Sequence, residues 1–278
     1  MTSVPLITLN NGVQIPQLGF GVFQVPPAET KAATLQAFEA GYRHIDTAEM
    51  YRNELGVGEA VRASGLKREE IFVTSKLNNG AHDPADAAKA FDETLAVLDI
   101  EYVDLFLIHW PMPAVGDYVE TWKAMEKMYA GGKVRAIGVS NFQPAHIRRL
   151  LDGTDIIPAV NQIEVHPYLT QEDVRGYNFD NGPVTEAWSP LARGNVLTDP
   201  VIVAIAERID RTAAQVTLRW HIQLGNIVIP KSVTRQRVIE NFEIFDFELT
   251  PDDMAAISAL NRDERTGPDP DVNNRLPS

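Results

Sequence analysis

Leu105-Phe106-Leu107-Ile108-His109 is an apolar run that stops on a histidine, and six other stretches of the chain are built the same way. They are His44-Ile45-Asp46, Phe72-Val73-Thr74-Ser75-Lys76, Ile137-Gly138-Val139-Ser140-Asn141, Val160-Asn161-Gln162, Thr185-Glu186-Ala187-Trp188 and Ile227-Val228-Ile229-Pro230-Lys231. Each opens apolar or β-branched and closes on a polar or aromatic residue, with room for a helix before the next. Strands that alternate with helices pair in parallel. About eight such units close into a barrel whose chemistry gathers where the strands end. The expected fold is therefore α/β, a TIM barrel, and its polar strand ends point to an enzyme.

The flanking sequence supplies the rest of the architecture. Leu6-Ile7-Thr8-Leu9 and Val13-Gln14-Ile15 bracket Asn10-Asn11-Gly12, an N-terminal hairpin signal because Asn and Gly accept positive φ. It is expected to close the lower end of the barrel. Leu18 to Val22 reads as the first barrel strand, and Pro27 to Ala40 as a helix capped by Gly41. Asp83-Pro84 opens a helix to Leu98. Thr170-Gln171-Glu172-Asp173 has a capping-box pattern. The helix behind it meets Gly176 and then Asn178 to Gly182, and is expected to be short or frayed. Extra helices follow Asp199-Pro200 and Thr250-Pro251, and the tail from Arg262 onward has no clear periodicity. With neither linker nor long-period repeat, residues 1–278 are expected to form one domain.

Composition excludes several function classes. The chain has 278 residues, 44% of them hydrophobic, which is ample for a large core. There is no cysteine, so disulfide and thiolate chemistry are out. A net charge of −13 disfavours nucleic acid as a partner, and no apolar run has membrane-spanning length. The opening residues lack the pattern of a signal peptide, so a cytoplasmic enzyme with no membrane partner is expected. The six histidines lack metal-ligand spacing, and no metal is expected.

Asp46, Tyr51, Lys76 and His109 come from the ends of the second, third and fourth strands. A phenol titrates near 10 and donates a proton poorly at neutrality unless its anion is stabilised. An ammonium can do that, and a carboxylate can hold the ammonium. His109 can hydrogen-bond a carbonyl oxygen or relay a proton. Taken singly, each residue has a bland alternative: a capping aspartate, a rim tyrosine or lysine, a core histidine.

The wider pattern is more specific. Gly41-Tyr42-Arg43-His44-Ile45-Asp46-Thr47-Ala48, Tyr51, Thr74-Ser75-Lys76-Leu77 and His109-Trp110-Pro111 resemble the aldo-keto reductases. So do Gly138-Val139-Ser140-Asn141-Phe142, Val160-Asn161-Gln162, Ser189-Pro190-Leu191 and Ile229-Pro230-Lys231-Ser232-Val233. The wording is most similar to the bacterial branch that includes 2,5-diketo-D-gluconate reductases. The resemblance covers the chain from Leu18 to the tail. It implies NADPH-dependent reduction of aldehydes or ketones, diketones and keto-sugars among them, to alcohols. Tyr51 would give the proton, Lys76 and Asp46 would tune it, and His109 would orient the carbonyl.

The same resemblance implies a cofactor site on the later strands. Ser140, Asn141 and Gln162 would hold the nicotinamide carboxamide, and Trp188 would stack on its ring. Ser189 and Leu191 would take the pyrophosphate. Lys231, Ser232, Val233 and Arg237 would meet the 2′-phosphate, with Glu240 and Asn241 near adenine. Substrate contacts are expected from Phe23, Asn78 and Trp110, with tail residues such as Asn274 in reach. A small-molecule carbonyl compound is the expected partner, and the chain is expected to be a monomer.

Three features depart from the family pattern. Asn78-Asn79-Gly80 stands where relatives often carry a tryptophan, Arg52 replaces a small residue, and Tyr177 to Pro183 looks irregular. Two competing readings are a binding module that keeps the fold, and a metal-assisted barrel hydrolase. The first predicts a missing tetrad member and the second predicts clustered metal ligands.

Overall fold

The computed structural model describes residues 4–276. Strands β1 (Leu6–Thr8) and β2 (Gln14–Pro16) form the N-terminal hairpin, with Leu6 opposite Pro16. Gly12 takes φ 84° at the turn, and its amide donates to the Leu9 carbonyl at 2.9 Å. Leu9 and Ile15 then pack against Phe72, Leu105, Leu107, Ala136, Val160 and Ile227. Phe72, Val160 and Ile227 are the first residues of their strands, so the hairpin seals the N-terminal end of the barrel.

Eight parallel strands follow: β3 (Phe20–Gly21), β4 (His44–Asp46), β5 (Phe72–Leu77), β6 (Val103–Ile108), β7 (Val134–Ser140), β8 (Val160–Glu164), β9 (Val184–Trp188) and β10 (Ile227–Val228). They lie in chain order from β3 to β10. A parallel bridge between Leu18 and Val228 joins the two ends, supported by Gly19 N–H to the Val228 carbonyl and Val228 N–H to the Gln17 carbonyl, both 2.9 Å. The sheet is thereby a closed barrel with no free edge.

Side chains alternate across each strand. Along β6, Leu105 and Leu107 face the barrel interior with the hairpin, whereas Phe106 and Ile108 pack outward among Phe91, Trp122 and Met125. The outer layer contains α1 (Pro27–Ala40), α2 (Glu54–Ala63), α3 (Pro84–Leu98), α4 (Tyr118–Ala130), α5 (Pro144–Gly153), α6 (Glu172–Asn181), α7 (Pro200–Arg208), α8 (Ala213–Gln223), α9 (Arg235–Phe242) and α10 (Pro251–Ser258). Helix α1 begins on proline and ends on Gly41 at φ 115°. Asp83 and Asp199 cap α3 and α7 through their carboxylates. Among the described residues no helix is long and apolar enough to cross a membrane.

Two local expectations need correction. The Thr170 capping box does not form: Gln171 occupies the cap at φ 45° and no side chain closes the turn. The Thr170 amide donates to Asn261 instead, and the Gln171 amide reaches the Glu164 carbonyl at 2.7 Å. Helix α6 also runs through Gly176 to Asn181 and is stopped by Gly182 at φ 105°. Buried Asn178 explains its order. It accepts from Asn161 at 3.1 Å and donates to Thr185 at 3.0 Å, tying the helix to β8 and β9.

Candidate active site

The C-terminal half of the barrel interior is polar. Asp46 ends β4, Lys76 is the penultimate residue of β5, and His109 follows β6 directly. Lys76 is fully buried, and its ammonium lies 2.7 and 2.8 Å from the Asp46 oxygens and 2.9 Å from the Thr47 carbonyl. Tyr51 sits on a single 3-10 turn, Glu49–Tyr51, that Arg52 ends at φ 56°. Its ring centroid is 5.0 Å from Lys76 Nζ, 5.0 Å from the Phe23 ring and 5.6 Å from the His109 ring. The four tetrad side chains therefore converge on one spot at the barrel mouth.

Electrostatics refine the expected tuning. Burial pushes the Tyr51 phenol up to about 12, while the Lys76 ammonium pulls it down and Asp46 pushes it up. Lys76 therefore acts in the expected direction but is outweighed by burial. Burial, then Lys76, holds His109 well below the usual imidazole range, so its ring is neutral. The His109 Nδ1 is buried without a hydrogen bond.

The residues expected at the nicotinamide are also gathered, and they bond one another. Ser140 donates to the Gln162 carbonyl at 2.9 Å. Asn141, at φ 65°, donates to the His109 carbonyl and accepts from the Trp188 indole at 2.8 Å. The Gln162 amide nitrogen donates to Asp46 and Glu186, both at 2.7 Å. Each therefore holds its neighbour in place and offers a ligand only its remaining lone pairs or donors.

Beside this spot runs a cleft of about 560 Å³ between the β9 and β10 ends. Ser189, Leu191, Lys231, Ser232, Val233, Arg237, Glu240 and Asn241 all line it, with Phe23 at its margin. Among the described residues Lys231 and Arg237 form no ion pair, whereas neighbouring Arg235 pairs with Glu39 at 3.3 Å. The Ser232 hydroxyl is partly occupied, accepting from the Thr234 amide at 3.2 Å. Asn78 donates to Glu49 at 3.0 Å, and Trp110 is buried. Asn274 accepts from the Ala114 amide at 2.8 Å, and the Arg275 carbonyl accepts from Asn79, so the tail lies over the mouth beside these residues.

The sequence reading missed five features. Asn53 fixes the Tyr51 turn, accepting from Thr47 at 2.9 Å and donating to the Val22 and Val25 carbonyls. Glu164 accepts from the Thr266 hydroxyl and amide and from the Gly267 amide, fastening the tail. Gly267 rests so closely on Trp188 that a Cβ there would lie 2.4 Å from the indole. Arg193 and Gly194, at φ 55° and 98°, form part of the cleft wall, as does Thr212. Glu186 lies fully buried beneath Gln162. The Gly and Thr signals were present in the sequence; the long-range partners of the acids were not.

Residues 17–262 match the aldo/keto reductase family over nearly the whole barrel. The chain belongs to the aldo/keto reductase family. It is similar to an aldo-keto reductase of Mycolicibacterium smegmatis, 51% identical over 96% of this chain and 97% of the relative. A glyoxal reductase of Bacillus subtilis is 48% identical over 95% of this chain and 96% of that protein. Among solved structures, a variant of Gox0644 in complex with NADPH superposes with a TM-score of 0.94 at 44% identity, covering 98% of this chain and 99% of that one. This aldo/keto reductase is an NADP-dependent oxidoreductase that acts on carbonyl groups.

Proposed function

We propose that this aldo/keto reductase converts small polar aldehydes and ketones, including 2-oxoaldehydes, diketones and keto-sugars, to alcohols, with Tyr51 as the proton donor. One observation carries the reading: a buried Lys76–Asp46 pair stands under a tyrosine that also neighbours a neutral histidine. A glyoxal reductase at 48% identity supports the substrate class. Asn78 supports it too, since a polar side chain stands at the mouth where an aromatic wall would favour apolar compounds.

The residues present fit NADPH. Two cations without an ion pair among the described residues and a turn rich in left-handed backbone enter one cleft, which suits a phosphate-bearing ligand. Lys231 and Arg237 would hold the 2′-phosphate, Ser189 and Leu191 the pyrophosphate, and Glu240 and Asn241 the adenine end. Trp188, clamped between Asn141 and Gly267, would present its ring to the nicotinamide, with Ser140, Asn141 and Gln162 at the carboxamide. When bound, the cofactor supplies the hydride.

The chain's own residues supply the rest. His109, being neutral, carries a single N–H to direct at the substrate oxygen. The oxygen gains negative charge as reduction proceeds and becomes a stronger base than a phenolate. Tyr51 can then pass its proton downhill even with a phenol held up to about 12. Lys76 stabilises the phenolate left behind, and Asp46 keeps the ammonium in place. Steady-state turnover with NADPH across 2-oxoaldehydes, diketones, keto-sugars and apolar aldehydes tests the substrate class. A preference for apolar aldehydes would overturn it.

A further inference from the structure

Below Gln162 the barrel interior contains a second carboxyl group for which the tetrad has no use. Glu186 is fully buried on β9. Its Oε2 accepts from the Gln162 amide nitrogen at 2.7 Å, and the same nitrogen donates to Asp46 Oδ2 at 2.7 Å. Its Oε1 has no hydrogen bond and lies 3.6 Å from His44 Nε2. Lys76 contacts Asp46 and the Thr47 carbonyl, and among the described residues no lysine or arginine pairs with Glu186.

His44 is not a counter-ion either. It is fully buried, its Nε2 bonds Thr74 Oγ1 at 3.0 Å, and its Nδ1 faces Gly19 so closely that a Cβ there would lie 2.5 Å away. Burial drives it down to about 3, so it is neutral. A buried carboxylate without a cation is costly enough that the group takes up a proton instead.

We propose that Glu186 is a buried neutral acid that positions Gln162 and leaves Asp46 as the one carboxylate facing Lys76, and that its ionisation turns carbonyl reduction down. The inference rests on the Tyr51–Lys76 reading of the active site. Gln162 divides its two amide hydrogens between the carboxyl groups, which leaves its oxygen for the nicotinamide side. The Glu186 proton belongs on Oε1, where no donor points. Loss of that proton places a second negative charge near Lys76, and a charge on Glu186 pushes the Tyr51 phenol up, making it a weaker acid.

Burial, with Asp46 adding to it, raises Glu186 to about 8. The other groups facing it titrate elsewhere: Tyr51 near 12, His44 near 3, Lys76 upward and His109 well below its usual range. Asp46 is held in its ion pair with Lys76. Glu54, at about 7 behind Ser75, is the second carboxyl in range and is unchanged by substitution at Glu186.

The test compares the wild type with Glu186→Gln, which keeps the shape of the neutral acid and cannot ionise. From one unit below the Glu186 pKa to one unit above it, wild-type kcat with saturating NADPH should fall about tenfold, following the protonated fraction, and that fall should vanish in E186Q. A second readout needs no cofactor. A carboxyl whose folded pKa lies above its unfolded value contributes stability at low pH and loses it as pH rises to the folded value. The Tm of E186Q minus that of wild type should therefore grow between 4.5 and about 8 and then level off. The same kcat decline in both proteins, or a Tm difference that ignores pH, overturns the proposal. If E186Q does not fold, Glu186→Met replaces it, with a lower kcat but still no decline expected. Tyr51→Phe run alongside separates the two readings: full turnover there defeats the tetrad, while the Tm comparison still judges Glu186.

Discussion

Arg237→Ala should weaken NADPH and leave NADH nearly untouched. Arg237 lies on the first turns of α9, lines the cleft with Lys231, and forms no ion pair among the described residues. Its removal therefore breaks no internal bond, and stability should change by less than about 0.5 kcal/mol. A charge-assisted hydrogen bond contributes about 1.5–3 kcal/mol. Arg237 is exposed, and solvent and salt screen such contacts, so the lower end applies. That corresponds to roughly a tenfold rise in Kd for NADPH. NADH lacks the 2′-phosphate and forfeits nothing. Arg235→Ala is the control, since its charge is already paired with Glu39. Quenching of tryptophan fluorescence in the wild type and the two variants gives the six Kd values, at low and high salt. Equal losses for NADPH and NADH, or an equal effect of Arg235→Ala, would refute the assignment of Arg237 to the phosphate.

Other perturbations separate chemistry from scaffold. Lys76→Met leaves Asp46 buried and unpaired, so it should cost about 3–5 kcal/mol as well as turnover; Lys76→Met with Asp46→Asn should regain stability in denaturant melts and stay inactive. Asp104 is buried at the opposite end of the barrel, where it accepts from Arg68 at 2.7 Å, Arg135 at 2.6 Å and the Val73 amide at 2.9 Å. Asp104→Ala should therefore destabilise by about 3 kcal/mol with kcat unchanged, and a change in kcat without loss of stability would contradict that division. Asn78→Trp should shift kcat/KM toward small apolar aldehydes; an unchanged profile would place Asn78 outside the pocket.

The barrel was legible because its strands are bounded by residues of opposite character: Leu105 to Ile108 is apolar and His109 is not. Closure was harder to read. Strands β3 and β10 have two residues each, and the seam depends on backbone bonds of Gln17, Gly19 and Val228 that carry no side-chain signature. Helix α6 read as short or frayed because it meets Gly176 and then Asn178 to Gly182, yet Asn178 is held by partners on two strands. The Tyr51, Lys76, Asp46 and His109 cluster was readable as a motif set. Its supports were not: Glu186 meets Gln162 from 24 residues away, and Glu164 meets Thr266 from 102 residues away. Such contacts are products of closure, so no local window contains both partners. The tail has no helix or strand among the described residues, as its lack of periodicity implied, and it is held in place by Glu164, Asn79 and Ala114.

The most direct measurement is single-turnover reduction of a 2-oxoaldehyde by Tyr51→Phe preloaded with NADPH, beside the wild type. The substitution removes one hydroxyl next to Lys76 and touches none of the cleft residues around Lys231 and Arg237. NADPH should bind with near wild-type affinity while its oxidation slows by roughly two to four decades. Oxidation at the wild-type rate with the cofactor bound would contradict the claim that Tyr51 gives the proton.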